Sequence, residues 1–104
     1  MKSKCIAGVM SLDQNFFEFA AGHRARGFDE VVERHWPALT VLGTHEHVLQ
    51  AKALVVRGDM WLTVGAQTHH LQVGSSFELD ARLPHAESYG SVGATYWVAR
   101  RHCP

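Results

Sequence analysis

From residue 28 to residue 101 the chain is a succession of short β-forming runs cut by turns at close, regular intervals. That punctuation constrains the fold more than any other feature. The runs fall at 31–36, 39–42, 51–56, 60–64, 68–73, 77–79, 84–89 and 95–99. Pro37 ends the first, Gly58-Asp59 reads as a tight hairpin turn, Gly65-Ala66-Gln67 as the next, and Gly74, Gly90 and Gly93 as further breaks. Many short strands with regular turn signals indicate an all-β sandwich or barrel. Strand–helix alternation, internal repeats and low-complexity tracts are missing from the sequence, so we expect a small closed barrel of about eight strands.

One helix is expected before the strands. Ser11 can cap it, Gln14 stands three later as capping-box partner, and Asp13 suits the positive end of the helix dipole. Leu12, Phe16, Phe19, Ala20 and His23 follow at helical spacing and form one apolar stripe. Gly22 and Gly27 are candidate stops, and His23 and Arg24 would meet the negative end of the dipole. The organisation expected is one domain over 1–104, with the helix at 11–26 and the barrel at 28–101. A chain of 104 residues buries roughly 65% of the surface its unfolded form exposes, enough for a core without staples.

Ten basic and ten acidic residues cancel, so nothing in the charge points to nucleic acid or to an anionic membrane. No run approaches the ~20 apolar residues of a membrane span, and the apolar stretch near Met1 is too short for a signal peptide. Cys5 and Cys103 fit no zinc-finger or redox spacing, and free thiols are expected in place of a disulfide. The expected location is the cytoplasm.

Eight histidines are the compositional anomaly. Two of them, His45 and His47, stand two apart, so on an extended strand both rings project from one face. Two imidazoles presented together bind a metal once a third donor arrives, and His85, just after Pro84 and opening a strand-like run, is the natural supplier. His69 and His70 are adjacent, face opposite ways on a strand, and cannot both serve one ion. His35 reads as an ordinary strand histidine, and Arg57-Gly58-Asp59 as a coincidental match to an adhesion motif.

These residues resemble the cupin superfamily, small jelly-roll barrels. The family's first motif is a glycine, His-x-His, a glutamate and a second glycine; here His45-Glu46-His47 and Gly58 stand in place. The second motif runs from a glycine through Pro-x-Gly to a histidine and an asparagine, and Gly74 and His85 fit it. The likeness covers about residues 28 to 101. It also has departures. The leading glycine falls at Leu39 and the metal-binding glutamate at Ala51, while Asp80, Arg82 and Tyr89 replace the proline, glycine and asparagine.

The resemblance implies one divalent transition metal (zinc, iron, nickel, manganese or copper) held by His45, His47 and His85. Two residues can restore the missing carboxylate contact. Gln50 offers an amide oxygen one position off register. Glu87, two after His85 and on its face, could bind metal, orient a histidine, act as general base, or pair with a rim arginine. Ala51, Ala53 and Phe77 are expected to line a small-ligand pocket, with Leu49, Val55, Leu79, Trp61 and Trp97 as further lining. The function expected is that of a metal-binding small-molecule enzyme, dioxygenase- or isomerase-like. The alternative is a non-catalytic sensing module. A homodimer is expected from the resemblance and from the apolar helix stripe.

Overall fold

The computed structural model describes residues 5–9 and 13–102. Ser11, Leu12 and Cys103, and the side chain of Cys5, lie outside what it describes, so the expectations placed on them rest on the sequence. The elements run β1 (Cys5–Val9), α1 (Phe16–Ala25), β2 (Glu30–Trp36), β3 (Val41–His45), β4 (Leu49–Val64), β5 (Gln67–Leu71), β6 (Ser75–Leu79) and β7 (His85–His102). The fold is all-β with one short helix.

The helix starts later than Ser11 suggests. Asn15 is its N-cap: its side chain accepts from the Glu18 amide at 2.9 Å, and Glu18 Oε1 accepts from the Asn15 amide at 3.0 Å. Two capping-box signatures follow one another in the sequence, at 11–14 and 15–18, and the one with asparagine and a carboxylate sets the start. The end is a Schellman turn. The Phe28 amide donates to His23 O at 3.1 Å and the Gly27 amide to Arg24 O at 3.0 Å, with Gly27 at φ 93°, so Gly27 and not Gly22 is the stop.

β4 and β7 are the frame. In its first half, β4 pairs with β6 and with the second half of β7; in its second half it pairs with β5 and with the first half of β7. One sheet therefore reads β1-β6-β4-β7-β2, and the other is completed by β5 and β3. All pairings are antiparallel. The expected hairpin at Gly58-Asp59 does not form, nor does the loop at Gly90–Gly93. In both places the strand runs on through a register shift and bends from one sheet into the other. The physical reason is close backbone approach. Gly58 has φ 71°, and a Cβ on it would overlap the carbonyl oxygen of Gly93; a Cβ on Gly93 would overlap that of Trp36. Eight expected strands thus become six after the helix. A seventh, β1, precedes it and pairs with β6.

The alternation along β4 sorts two cores. Ala53 and Val55 face inward with Met60, Leu62, Phe77, Leu79, Tyr96 and Val98. Leu54 faces outward with Val31 and Ala99, beneath Phe19 and Ala20 of α1. Phe16 and Phe19 each lie 5.7 Å from Trp97, so these stripe residues are consumed within the chain, and Phe17 is the one large apolar side chain of α1 left strongly exposed. Trp97 therefore faces the helix and not the barrel interior. Trp61 is also outside, stacked on His70 at 4.4 Å. His23, expected to meet the dipole as a cation, is instead 3% exposed, with its Nδ1 on Phe19 O and its Nε2 unpartnered. Burial is the main cause that lowers its pKa from the ordinary 6.5, so it is neutral in the fold.

Candidate metal centre

β3 ends at His45, so His47 lies beyond the strand in the β3–β4 connection; the expectation that one strand presents both rings is corrected. The connection is held where its carbonyl at His47 accepts from the Arg82 amide at 2.7 Å. His85 opens β7 directly opposite His45 in the pairing register. The three rings converge even so. Centroids are 5.0 Å apart for His45–His47, 4.5 Å for His45–His85 and 5.3 Å for His47–His85. One ring nitrogen from each lies within 4.8 Å of the others.

The ring nitrogens have assigned roles. His45 Nδ1 is 2.6 Å from Gly43 O, and His85 Nδ1 is 2.9 Å from Leu83 O. A carbonyl only accepts, so both Nδ1 atoms carry the proton, and the Nε2 lone pairs are turned inward. Facing them is the Glu87 carboxylate. Its Oε2 is 3.2 Å from His45 Nε2 and 3.6 Å from His85 Nε2, and its Oε1 accepts from Tyr89 OH at 2.5 Å. Lone pairs and an anionic oxygen converging on one point require a cation between them, either a proton or a metal ion. Glu87 is 8% exposed, and its partners are these histidines and Tyr89, not a rim arginine.

The electrostatics agree with this geometry. Burial alone would raise the Glu87 pKa, but hydrogen bonds to His85 and Tyr89 outweigh it, and the net shift is downward. Burial likewise opposes charge on His85, yet the Glu87 carboxylate and the Leu83 carbonyl raise its pKa overall. His47 is lowered, chiefly by burial and then by the neighbouring His85 and His45. Burial raises Tyr89 and Tyr96 first of all, so both remain neutral hydroxyls.

Gln50 stands apart. Its Oε1 accepts from Arg101 Nε at 2.7 Å, and the pleat turns it away from the face that carries Ala51. The expectation of Gln50 as fourth ligand is therefore corrected: its oxygen is already engaged on the other side of β4. Ala51 lines the space beside His47, and the carboxylate nearest the triad comes from β7 instead, through Glu87.

Two adjoining cavities of about 260 and about 230 Å³ open beside the triad. The larger is walled by Trp36, Leu42, Tyr96, His45, His47 and Glu87 with Arg34 and Arg100; the smaller shares Arg34, His47 and Arg100 and adds Leu49 and Ala51. A third, of about 40 Å³, lies deeper, against Phe77, Ala51 and His85. Ala53 is 0% exposed and lines none of these three. Neither Arg34 nor Arg100 stood out in the sequence. The available signal was parity: Arg34 shares a face with inward Val32 and Trp36, two residues away on either side, and Arg100 with inward Val98.

No protein-family model matches the sequence, and no curated protein matches it. Solved structures do match. The DMSP lyase DddQ from Ruegeria pomeroyi superposes with TM-score 0.63 at 18% identity over 68% of this chain and 36% of its own. A cupin superfamily protein from Desulfitobacterium hafniense gives 0.60 at 10% identity, over 92% and 76%. The polyketide cyclase RemF from Streptomyces resistomycificus gives 0.59 at 20%, over 78% and 62%. The chain spans little more than a third of the lyase. Likeness at these identities establishes the fold alone.

Proposed function

We propose that this chain, whose fold is that of the cupin superfamily, is a metal-dependent enzyme acting on a small organic molecule. The observation that carries the reading is the convergence of the His45 and His85 Nε2 lone pairs on the Glu87 carboxylate, with both Nδ1 protons committed to backbone carbonyls. Three imidazoles within 4.8 Å of one another fit one divalent transition ion and leave coordination positions open. Such an ion supplies Lewis acidity to a bound oxygen atom.

The chain's own residues do the rest. Gly43 and Leu83 carbonyls hold two rings in the ligating tautomer. Glu87, ionised and oriented by Tyr89, is the group positioned to take and return a substrate proton. Trp36, Leu42 and Tyr96 give the cavity beside it a mostly apolar wall. The matching structures include a lyase and a polyketide cyclase, which supports reading this barrel as an enzyme. The metal-loaded protein should turn over at least one member of a panel of small diketones, thiols, phenols and hydroxy acids, read by oxygen uptake and by proton NMR. His85→Ala should lose that turnover. Failure of the whole panel with a loaded site would remove the enzyme reading and leave the non-catalytic sensing module.

Homodimer formation belongs to the same proposal. The helix stripe no longer supports it, because Trp97 covers Phe16 and Phe19. Its support is now the exposed Leu39, Val41 and Val92. Sedimentation at micromolar concentration showing only monomer would remove it. Among the described residues no helix is long and apolar enough to cross a membrane.

A further inference from the structure

The two arginines beside the triad have no counterpart in the proton chemistry just described. On β2, Arg34 lies between Val32 and Trp36, both packed against the barrel core, so its position is an inward one. On β7, Arg100 follows Val98 on the same inward face. Both arginines line both of the larger cavities, together with His47. An inward charge in a mostly apolar barrel loses hydration and needs a partner. Arg34 makes no ion pair with a described residue; its guanidinium sits over the Trp36 ring at 5.1 Å, which orients the planar fork and leaves its donors free. Arg100 has one contact, Nη1 to Glu30 Oε1 at 3.3 Å, with Glu30 well exposed. The only acidic residue in the lining is Glu87, already committed to His45, His85 and Tyr89.

We propose that Arg34 and Arg100 form an anion subsite, and that the natural ligand is a small monocarboxylate whose carboxylate they hold while its other end reaches the histidine triad. The proposal deepens the enzyme reading, since it assigns the substrate class of that same pocket. Glu30 pairs with Arg100 and Glu87 is engaged by the histidines, so Arg34 carries the unmatched charge beside the cavity, which suits a monoanion better than a phosphate dianion. The planar donor fork matches a carboxylate in the bidentate manner.

The test uses NMR shift titrations of the full chain, zinc-loaded and metal-free, with propanoate, its neutral isostere propanamide, and inorganic phosphate. Propanoate should bind, and propanamide at least about tenfold more weakly, as loss of a charge-assisted hydrogen bond predicts. Arg34→Gln and Arg100→Gln should each weaken propanoate by about tenfold or more. Arg57→Gln, an exposed site on β4, should leave it unchanged. If either Gln variant fails to fold, the corresponding Lys variant decides: it keeps the charge but loses the fork, and an unchanged propanoate affinity counts against the subsite. Equal binding of propanamide, unchanged affinity in both Gln variants, or tighter phosphate binding through the same arginines would overturn the proposal. Propanoate binding that survives in a chain unable to take up zinc would sink the metal reading and leave the subsite standing. Zinc uptake with no propanoate binding would do the reverse.

Discussion

Replacing Glu87 by glutamine changes one charge in the centre and almost no volume, which makes its consequences calculable. In the native chain the carboxylate faces His45 Nε2 at 3.2 Å and His85 Nε2 at 3.6 Å, and accepts from Tyr89. A glutamine keeps an oxygen for Tyr89 but presents no anion to the ring nitrogens. Removing a carboxylate that supports histidine ligands costs about 10–100-fold in metal affinity, or about 1.4–2.7 kcal/mol. The same carboxylate raises the His85 pKa above 6.5 against the opposing effect of burial. Without it His85 deprotonates at lower pH, and proton competition with the metal weakens. The variant should therefore bind zinc more weakly at about pH 8, and its affinity should persist to lower pH than that of the native chain. A competition titration against a chromogenic zinc chelator at several pH values measures both effects. Equal affinities with the same pH midpoint would refute the coupling between Glu87 and the triad.

Linkage gives the metal-free chain a stability window with a definite sign. The raised pKa of His85 contributes stability that is fully present below 6.5 and lost as pH rises through the folded value. The lowered pKa of Glu87 contributes stability present above 4.5 and lost as pH falls through its folded value, so urea midpoints of native minus Glu87→Gln should peak between these limits. His23 runs the other way from His85: its pKa lies below 6.5, so its contribution is present above that value and lost as pH falls. Relative to His23→Leu the native chain should lose stability as pH falls below about 6.5, and a pH-independent difference would show that the ring charges freely. Gly58→Ala should cost about 3 kcal/mol or more, from positive φ and the overlap with Gly93, measured by urea melts; a neutral result would mean that β4 does not run through this point. Leu39 and Arg82 have φ 60° and 62°, and Arg82→Gly should gain about 0.5–1 kcal/mol by relieving left-handed strain.

Leu39 and Arg82 also show why the sequence motif was readable despite its departures. They are the two positions where the cupin resemblance places glycine and this chain carries another residue, and they are the two non-glycine residues with positive φ among the described residues. The triad was legible because its signals are local: His-x-His, a histidine after proline, and a carboxylate two residues on. The long strands were not, because a glycine inside β4 or β7 carries the same local signal whether the chain turns back or bends onward. Only the partner backbone distinguishes them, through the approach of Gly93 to Gly58. Arg34 and Arg100 depend on the same unread information. Their inward direction follows from strand register, and a charged residue in a β-rich run is otherwise read as solvated.

The central claim is that His45, His47 and His85 hold a metal ion. Metal analysis of protein purified without chelator or added metal, paired with anomalous scattering from its crystals, tests it most directly. Close to one transition-metal ion per chain is predicted, with its anomalous peak among the three imidazoles and beside Glu87. His85→Ala should be folded and metal-free. A native chain that carries no metal and takes up none on titration, or a His85→Ala variant that still binds one equivalent, would contradict it.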